Sequence, residues 1–424
     1  MRQPYKRKRA VTDTTRSWSE HTLPPVIRRA IIALAVGAFG SGMSMRVADP
    51  MLIRLADEFD IGIALASWVV TVFGFAYGVS QLLFGPLGDR YGKVRVVAHG
   101  CAACSVTALL CAFMPDFTAL LVARALAGAM AASVIPLSMA WIGDVVSYEH
   151  RQPVLAKFLI GQILGLSAGV VVGGLSADYF GWRFPFFLIA VWFAATSVGL
   201  HVINRSLPAH ARVLHVIEAS GFRRMFIEFR HVLRVAWAQQ VLLTVSLEGA
   251  VIFGALAFVP AHLHSVYGLS LASSGSLVML FGIGGLIFAM RSPYLVSRLG
   301  EVGLINGGTL LVGVSLLLLA LTPVWWLAFP ACAGFGLGFY MLHNTLQINA
   351  TQMAPERRGA AVAAFASCFF LGQALGVAAA GAALAVVGTR GVLAACAALV
   401  VLVGLRFGRV RRRRDVAAAE TTRW

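Results

Sequence analysis

Runs of about 20 apolar residues follow one another along almost the whole sequence, and they constrain the fold more than any other feature. Each run is long enough to cross a bilayer as a helix, and most of the polar segments between them are short. With 59% hydrophobic and 12% charged residues, the chain is too apolar for a soluble globular protein. We therefore predict an all-α membrane protein with twelve transmembrane helices in two six-helix halves. The predicted spans, numbered one to twelve, are 30–53, 65–85, 95–114, 117–142, 155–176, 184–204, 236–259, 272–290, 302–321, 325–349, 359–386 and 391–407.

Arginine and lysine concentrate in the two chain ends and in alternate loops. The predicted parts are a basic N-terminal tail at 1–29, a first half at 30–204, a linker at 205–235, a second half at 236–408 and a basic C-terminal tail at 409–424. Because basic residues in short loops stay in the cytoplasm, we expect both tails there, in a multi-pass protein of a bacterial inner (plasma) membrane. The net charge of +17 is then a property of the cytoplasmic face, and we expect no nucleic-acid partner.

The linker carries an amphipathic pattern. Its apolar stripe at helical spacing consists of Phe222, Phe226, Phe229 and Leu233, and its basic face consists of Arg223, Arg224, Arg230 and Arg234. Such a pattern predicts a helix that lies on anionic lipids at the cytoplasmic face of the membrane.

The two halves repeat each other. Gly161-Gln162-Ile163-Leu164-Gly165 in span five reappears 211 residues later as Gly372-Gln373-Ala374-Leu375-Gly376 in span eleven. Likewise Arg90-Tyr91-Gly92 after span two has a counterpart at 298–300, where Ser297 replaces the acid Asp89. Internal repeats of this kind are typical of transporters.

The loop between spans two and three reads Gly85-Pro86-Leu87-Gly88-Asp89-Arg90-Tyr91-Gly92-Lys93-Val94-Arg95. It closely resembles the loop signature of the major facilitator superfamily. In that family an acid of the loop faces the N-terminus of span eleven, and a base reaches an acid at the end of span four. The resemblance implies that Asp89, Arg90 and Asp144 form a conformational latch, with Gly85 and Gly92 shaping the loop.

Two further segments are similar to motifs of this family. Arg124-Ala125-Leu126-Ala127-Gly128 in span four resembles its buried-arginine motif, and the alternative is an Arg124 that snorkels to the membrane surface. Span five contains Gly165, Gly169, Gly173 and Gly174, which partly match a glycine-rich signature of antiporters, although Val170 stands where that signature has proline. The same glycines also fit a plain close contact between helices.

Charges inside the spans are the strongest indication of mechanism. Asp49, with Arg46 nearby, lies in the first span, and Glu248 lies near the middle of the corresponding seventh span. An unpaired acid at that depth favours its neutral form and could load and release a proton. For Asp49 a salt bridge to Arg46 or Arg124 is the alternative.

Polar side chains within the spans are candidates for lining a substrate cavity: Gln162, Gln373, His343 and Asn344. For His343 the choices are a proton relay and a hydrogen bond between helices, of which we favour the second. His262 and His264 are too few for a zinc site, so we expect no metal. The sequence holds no catalytic constellation and no phosphate-binding loop, so we expect no enzyme activity, no cofactor and no direct use of ATP.

The resemblance covers almost the whole chain and implies alternating access about a central site. We predict a monomeric secondary transporter that exports a small organic compound in exchange for protons. Proton-coupled uptake is the nearest alternative, and a non-transporting membrane sensor of the same fold is the alternative from another class.

Overall fold

The computed structural model of the chain describes residues 23–212 and 221–421, with side chains for all of them except 148, 149, 210, 221–226 and 417–421. Regular structure in these ranges is helical, without a strand. The helices are α1 (Pro25–Arg46), α2 (Leu52–Glu58), α3 (Ile63–Ala66), α4 (Trp68–Tyr91), α5 (Lys93–Phe113), α6 (Phe117–Ala131), α7 (Val134–Val145), α8 (Tyr148–Leu175), α9 (Phe184–Ser206), α10 (Gly221–Arg234), α11 (Ala236–Leu256), α12 (Val259–Tyr267), α13 (Leu271–Leu321), α14 (Ala328–Gln352) and α15 (Arg358–Thr421). Most of the basic N-terminal tail, and the linker side chains of Phe222, Arg223, Arg224 and Phe226, lie outside the described residues.

The lengths of these helices determine how often the chain crosses the membrane. Ten helical stretches in the described ranges are long and apolar enough to cross a bilayer. Two are too long for one crossing, since α13 has 51 residues and α15 has 64, whereas one crossing takes about 20. Gly300 at φ 62° and Gly388 at φ 63° break them with left-handed backbone that favours glycine. Helix α13 therefore forms spans eight and nine and α15 forms spans eleven and twelve, which agrees with the predicted twelve.

The first span of each half is broken at the same place. In the first half, α1 ends at Arg46, and a short 3-10 turn, Asp49–Met51, separates it from α2. In the second half, α11 ends at Leu256 and α12 begins at Val259. Both breaks are buried in the protein, where irregular backbone is tolerated at membrane depth.

The glycines of span five form a seam against span one. A Cβ built on Gly161 would lie 2.6 Å from the carbonyl oxygen of Ala35, and one on Gly165 would overlap the carbonyl oxygen of Phe39. The seam continues through Gly169 and Gly173. Because real Cβ atoms do not approach a carbonyl this closely, the glycines allow the two helices to touch backbone to backbone. The plain helix contact thus accounts for their four-residue spacing.

The second half repeats this seam in the same register. Gly372 of span eleven packs on the backbone of Ser246 in span seven, and Gly376 packs on Ala250. Each glycine and each partner lies 211 residues after its counterpart in the first half. The sequence repeat therefore reflects a structural repeat in which span five packs on span one and span eleven on span seven.

We expect Gly165→Ala to destabilise the protein, because the added methyl group meets the backbone of Phe39 rather than a side chain that can turn away. Such overpacking typically costs about 1–3 kcal/mol. The matched control is Gly199→Ala in α9, where a Cβ has no atom within 4 Å, so it should keep or slightly raise the melting temperature. Thermal unfolding in detergent measures both variants, and an unchanged melting temperature for Gly165→Ala would show that the seam is not tightly packed.

The two halves separate toward one side of the membrane. We call the side that holds both described chain ends the tail side, and the opposite side the far side. In the middle of spans two and eleven, a Cβ on Gly78 would lie 3.1 Å from the Cβ of Phe370. Gly85 continues the same face about two turns closer to the tail side, and Gly359 continues the opposing face about three turns closer. A Cβ added at either glycine would have no atom within 4 Å, so the two spans diverge there.

On the far side the halves are held together by spans five and eight. Gly275 packs on the carbonyl oxygen of Val170. Asp178, just after α8, accepts a hydrogen bond of 2.7 Å from the backbone N–H of Ala272 at the start of α13, where the helix dipole also favours a negative charge. The structure is therefore closed on the far side and parted on the tail side.

Candidate functional site

An acid and a histidine meet inside the second half. Oε2 of Glu248 on α11 lies 2.9 Å from Nδ1 of His343 on α14. Glu248 is 1% exposed, and its other oxygen has no hydrogen-bond partner among the described residues. A hydrogen bond between a carboxylate oxygen and a ring nitrogen requires a proton on one of the two atoms. The predicted hydrogen bond between helices is thus confirmed for His343, and its partner is the predicted acid of span seven.

Aromatic rings enclose this pair. The His343 ring lies 4.5 Å from the centre of Phe369, 5.0 Å from Phe339 and 5.5 Å from Phe365. Apolar surroundings disfavour a net charge, whereas aromatic faces tolerate a cationic ring. The pair is therefore most stable with a total charge of zero, either as a neutral acid with a neutral imidazole or as an ion pair.

Arg46 and Asp49 form the second buried pair, at the break in span one. Their Nη2 and Oδ2 atoms are 2.7 Å apart, and both side chains are almost fully buried. The alignment of the two groups does not meet hydrogen-bond geometry, so charge attraction is what joins them. This is the salt bridge that the sequence left open as an alternative for Asp49.

Asp49 does not occupy the position that corresponds to Glu248, although both residues lie on the first span of their half. At the offset of 211 residues, the counterpart of Glu248 is Gly37, which packs near Val134 and Thr196. Within the described residues, the acid–histidine pair is thus a feature of the second half without a symmetric partner. Asp49 and Glu248 thus lie on corresponding spans, as the sequence indicated, but at different depths.

Arg124 is buried rather than snorkelling, so that alternative was wrong. Its Nε donates to the carbonyl oxygen of Val69 at 3.1 Å and its Nη1 to that of Ser44 at 3.2 Å. The guanidinium also lies 4.3 Å from the centre of the Phe73 ring. Arg124 therefore ties span four to spans one and two.

A small cavity lies between the two halves at Arg46, and the predicted residues Glu248, His343, Asp49 and Arg124 are not among its lining residues. Arg46 is the one charged side chain that the described residues contribute to its wall. The wall consists of Arg46, Leu166, Ser167, Val170, Phe253, Leu256, Val278, Phe281, Gly282 and Tyr340. It therefore draws on spans one and five of the first half and on spans seven, eight and ten of the second.

The other predicted polar side chains lie outside this wall. Gln162 is half-buried on α8, and Gln373, its counterpart on α15, is buried with its Oε1 unpaired in the described part of the chain. Asn344 is half-buried on α14 next to His343. The cavity beside Arg46 does not bring these three together.

On the tail side, Lys93 joins the two predicted acids of the latch. Its Nζ lies 2.9 Å from Oδ1 of Asp89 and 2.7 Å from Oδ2 of Asp144. We call these three residues the tail-side clasp. It connects the end of span two, the start of span three and the end of span four.

The clasp differs from the family pattern in two respects. Arg90 is exposed beside the ring of Tyr91, and Lys93 rather than Arg90 reaches Asp144. The close helix contact is made at Gly88, where an added Cβ would lie 2.5 Å from a methyl group of Leu137. A Cβ added at Gly85 would have no atom within 4 Å, so Gly85 makes no such contact. Gly92 has the predicted turn role, with φ 91°.

Asp89 has no ion pair with span eleven in the described structure; its partner is Lys93. This agrees with the parted tail side, because the start of span eleven lies apart from span two there.

The second half has a clasp of opposite charge at the corresponding place. Glu301, 208 residues after Lys93, accepts from Nδ2 of Asn349 at 3.2 Å and pairs with Nε of Arg411 at 3.1 Å. One oxygen of Glu301, at the start of span nine, therefore contacts both the end of span ten and the helix that follows span twelve.

The two histidines at the far end of span seven are structural. His262 is fully buried, with Nδ1 2.8 Å from the hydroxyl of Thr389 and Nε2 2.9 Å from the carbonyl oxygen of Leu319. His264 bonds to the carbonyl oxygen of Leu269. The described residues contain no group of three potential metal ligands.

Sequence reasoning missed three residues of the site. Lys93 lies four residues after Asp89, but the turn at Gly92 separates span two from span three, so the pair depends on that turn and not on a helix face. Phe253 and Tyr340 line the cavity, but their apolar or aromatic character distinguishes neither from ordinary core residues.

Comparison with known proteins decides the family. The sequence pattern of the Major Facilitator Superfamily matches residues 34–355, which is most of the chain. The chain belongs to this superfamily. An uncharacterized MFS-type transporter of Bacillus subtilis (strain 168), YceJ, is 24% identical over 346 residues, which cover 81% of this chain and 86% of that protein. The multidrug export protein EmrB of Haemophilus influenzae is 28% identical over 174 residues, which cover 40% of this chain and 34% of that protein.

Solved structures of other major facilitator proteins share the fold. The human organic anion transporter TETRAN superposes with a TM-score of 0.68 at 16% identity, covering 91% of this chain and all of that one. The nucleoside transporter NupG gives a TM-score of 0.72 at 14% identity, covering 90% and 98%. At such identities the likeness establishes the fold. Together with the family it makes the chain a membrane transport protein that binds a small-molecule substrate, and not an enzyme.

Proposed function

We propose that this major facilitator protein is a proton-coupled secondary transporter of a small organic compound, with Glu248 and His343 as its proton site. The observation that carries the proposal is the 2.9 Å contact between these two side chains inside an aromatic enclosure. Because one hydrogen bond joins them, the two side chains act as one unit in the proton step.

The unit changes its total charge when it loses a proton. With its proton the pair has a charge of zero, and without it the charge is −1 inside a weakly polar enclosure. The deprotonated state consequently needs water or a compensating positive charge nearby. Since access to water changes when the two halves rock, proton affinity differs between the two orientations, and this difference couples proton movement to substrate movement.

Export is the first candidate direction. The Haemophilus influenzae relative is named a multidrug export protein, and a further relative is named an efflux pump. The glycine seam of span five adds no support, because close packing on span one explains it. Proton-coupled uptake is the second candidate, and the positive charge of Arg46 in the cavity wall favours it.

We further propose that the tail-side clasp acts as the latch of the transport cycle. In the parted state Lys93 pairs with Asp89 and Asp144. When the tail side closes, the start of span eleven approaches Asp89, and the positive end of its helix dipole attracts that carboxylate. The tail side would be the cytoplasmic side of a bacterial inner membrane, with the basic face of α10 on anionic lipids and the protein acting as a monomer.

Transport in liposomes tests this function. Purified protein is reconstituted, a pH gradient of either direction is imposed, and a set of labelled small organic anions, cations and neutral compounds is screened. We expect at least one compound to move against its own gradient when protons flow, and an ionophore that removes the pH gradient should stop this movement. The direction relative to proton flow separates export by exchange from uptake together with protons. Transport that ignores the pH gradient for every accepted compound would refute proton coupling.

A further inference from the structure

Arg46 has unused hydrogen-bonding capacity at the wall of the cavity. The side chain is 3% exposed and lies between the two halves. Asp49 is its ion partner, and Nη1 has no hydrogen-bond partner among the described residues. A guanidinium carries five N–H donors in a planar fork that matches a carboxylate. A buried arginine that is only partly satisfied and borders a cavity is suited to receive an anion.

The charges around the cavity do not cancel. Arg46 and Asp49 neutralise each other, but the described partners of Arg124 are backbone carbonyls and aromatic rings. These three residues therefore sum to +1 within the first half. The acid–histidine pair of the second half contributes zero when protonated. A bound monoanion would bring the protonated core to zero, which is the favoured total in a weakly polar interior.

The rest of the wall indicates the body of the ligand. Phe253 and Phe281 present aromatic rings, and Arg46 itself lies 5.1 Å from the centre of the Phe253 ring. Ser167 and Tyr340 are the uncharged polar residues of the wall, one from each half. We propose that Arg46 binds the carboxylate, or a similar anionic group, of an amphiphilic organic substrate whose apolar part lies against Phe253 and Phe281. This inference rests on the proposed transport function and names the substrate class of the same site.

The charge count also predicts how anion and proton influence each other. The core has a total of zero when both are bound and also when both are absent, because the deprotonated pair then offsets the positive first half. With only the proton bound the total is +1, and with only the anion bound it is −1. Binding of the anion therefore favours protonation of the Glu248–His343 pair, and the two are carried in the same direction.

Binding of three probes of one shape tests the anion site without a gradient. Benzoate, benzamide and benzamidinium share a body and differ in charge, and their affinity for the purified protein is measured by calorimetry. We expect benzoate to bind at least about tenfold more tightly than benzamide, as is typical of hydrogen bonds to a charged group. Benzamidinium should bind least. Equal affinity for the three probes, or no saturable binding of benzoate, would overturn the proposal.

Variants then assign the preference to Arg46. Arg46→Gln should lose the preference for benzoate over benzamide. Arg29 is an exposed arginine on the same helix, and Arg29→Gln should keep that preference. Asp49→Asn removes the competing carboxylate and should strengthen benzoate binding, an effect that misfolding would not produce. The double variant Arg46→Gln with Asp49→Asn keeps the sum of +1 in the first half but lacks the guanidinium, so it should lose most of the preference for benzoate; a fully retained preference would contradict the site. Benzoate binding through Arg46 in a protein that moves no protons would refute the proposed function but leave the anion site standing.

Discussion

Glu248→Gln is expected to abolish proton-driven accumulation of substrate and to leave substrate exchange across the membrane intact. Glutamine keeps the shape of the side chain and can still bond to Nδ1 of His343, but it cannot take up or release a proton. The carrier can then still change orientation with substrate bound. Without a change of protonation, however, nothing links that movement to the pH gradient.

Two liposome assays measure this outcome. Exchange of labelled for unlabelled substrate should stay within about a factor of three of the parent, whereas accumulation under a pH gradient should fall until inside and outside concentrations are about equal. Exchange should also lose its pH dependence. The matched control is Glu58→Gln, an acid on the far side that pairs with Arg183, and it should behave as the parent. If Glu248→Gln still accumulates substrate with the parent's pH profile, the coupling acid lies elsewhere, and Asp49 becomes the next residue to change.

Lys93→Gln should slow transport by about fivefold or more, a size typical of coupling between two conformations. The change leaves Asp89 and Asp144 facing each other without the amine that holds both. Because these acids are partly exposed, solvent screening limits the loss of stability to about 1 kcal/mol. The larger effect falls on the balance between the parted and closed states of the tail side.

Arg90→Gln provides the comparison that decides between the two bases. The family pattern gives the basic role to Arg90, whereas the structure gives it to Lys93. We therefore expect Arg90→Gln to transport at close to the parent rate and Lys93→Arg to retain most activity. Initial rates are compared at equal amounts of protein in the membrane. If instead Arg90→Gln transports slowly and Lys93→Gln transports at the parent rate, the basic residue of the latch is Arg90.

The membrane-spanning architecture could be predicted from the sequence because lipid leaves the backbone few choices. A helix satisfies its own hydrogen bonds, so a run of about 20 apolar residues has one main solution. The predicted gap between 386 and 391 contains Gly388, and that between 290 and 302 contains Gly300, the two glycines that break the longest helices. Pairs close in sequence were also predictable, as Arg46 and Asp49 show.

Contacts between distant helices could not be predicted in this way. Glu248 and His343 are 95 residues apart, and their meeting depends on how spans seven and ten pack. The direction of the long Lys93 side chain also depends on its neighbours. The repeat did indicate one relation between the halves: at the offset of 211 residues, Glu248 corresponds to Gly37 and not to Asp49.

Proton exchange by the Glu248–His343 pair can be measured directly, without a known substrate. Proteoliposomes adsorbed on a sensor are exposed to a sudden step in pH, and the charge that moves into the protein is recorded as a transient current. The parent and Glu58→Gln should show a transient that saturates with the size of the step, and Glu248→Gln should show none. A transient of parental size in Glu248→Gln would contradict the assignment of Glu248 as the proton site.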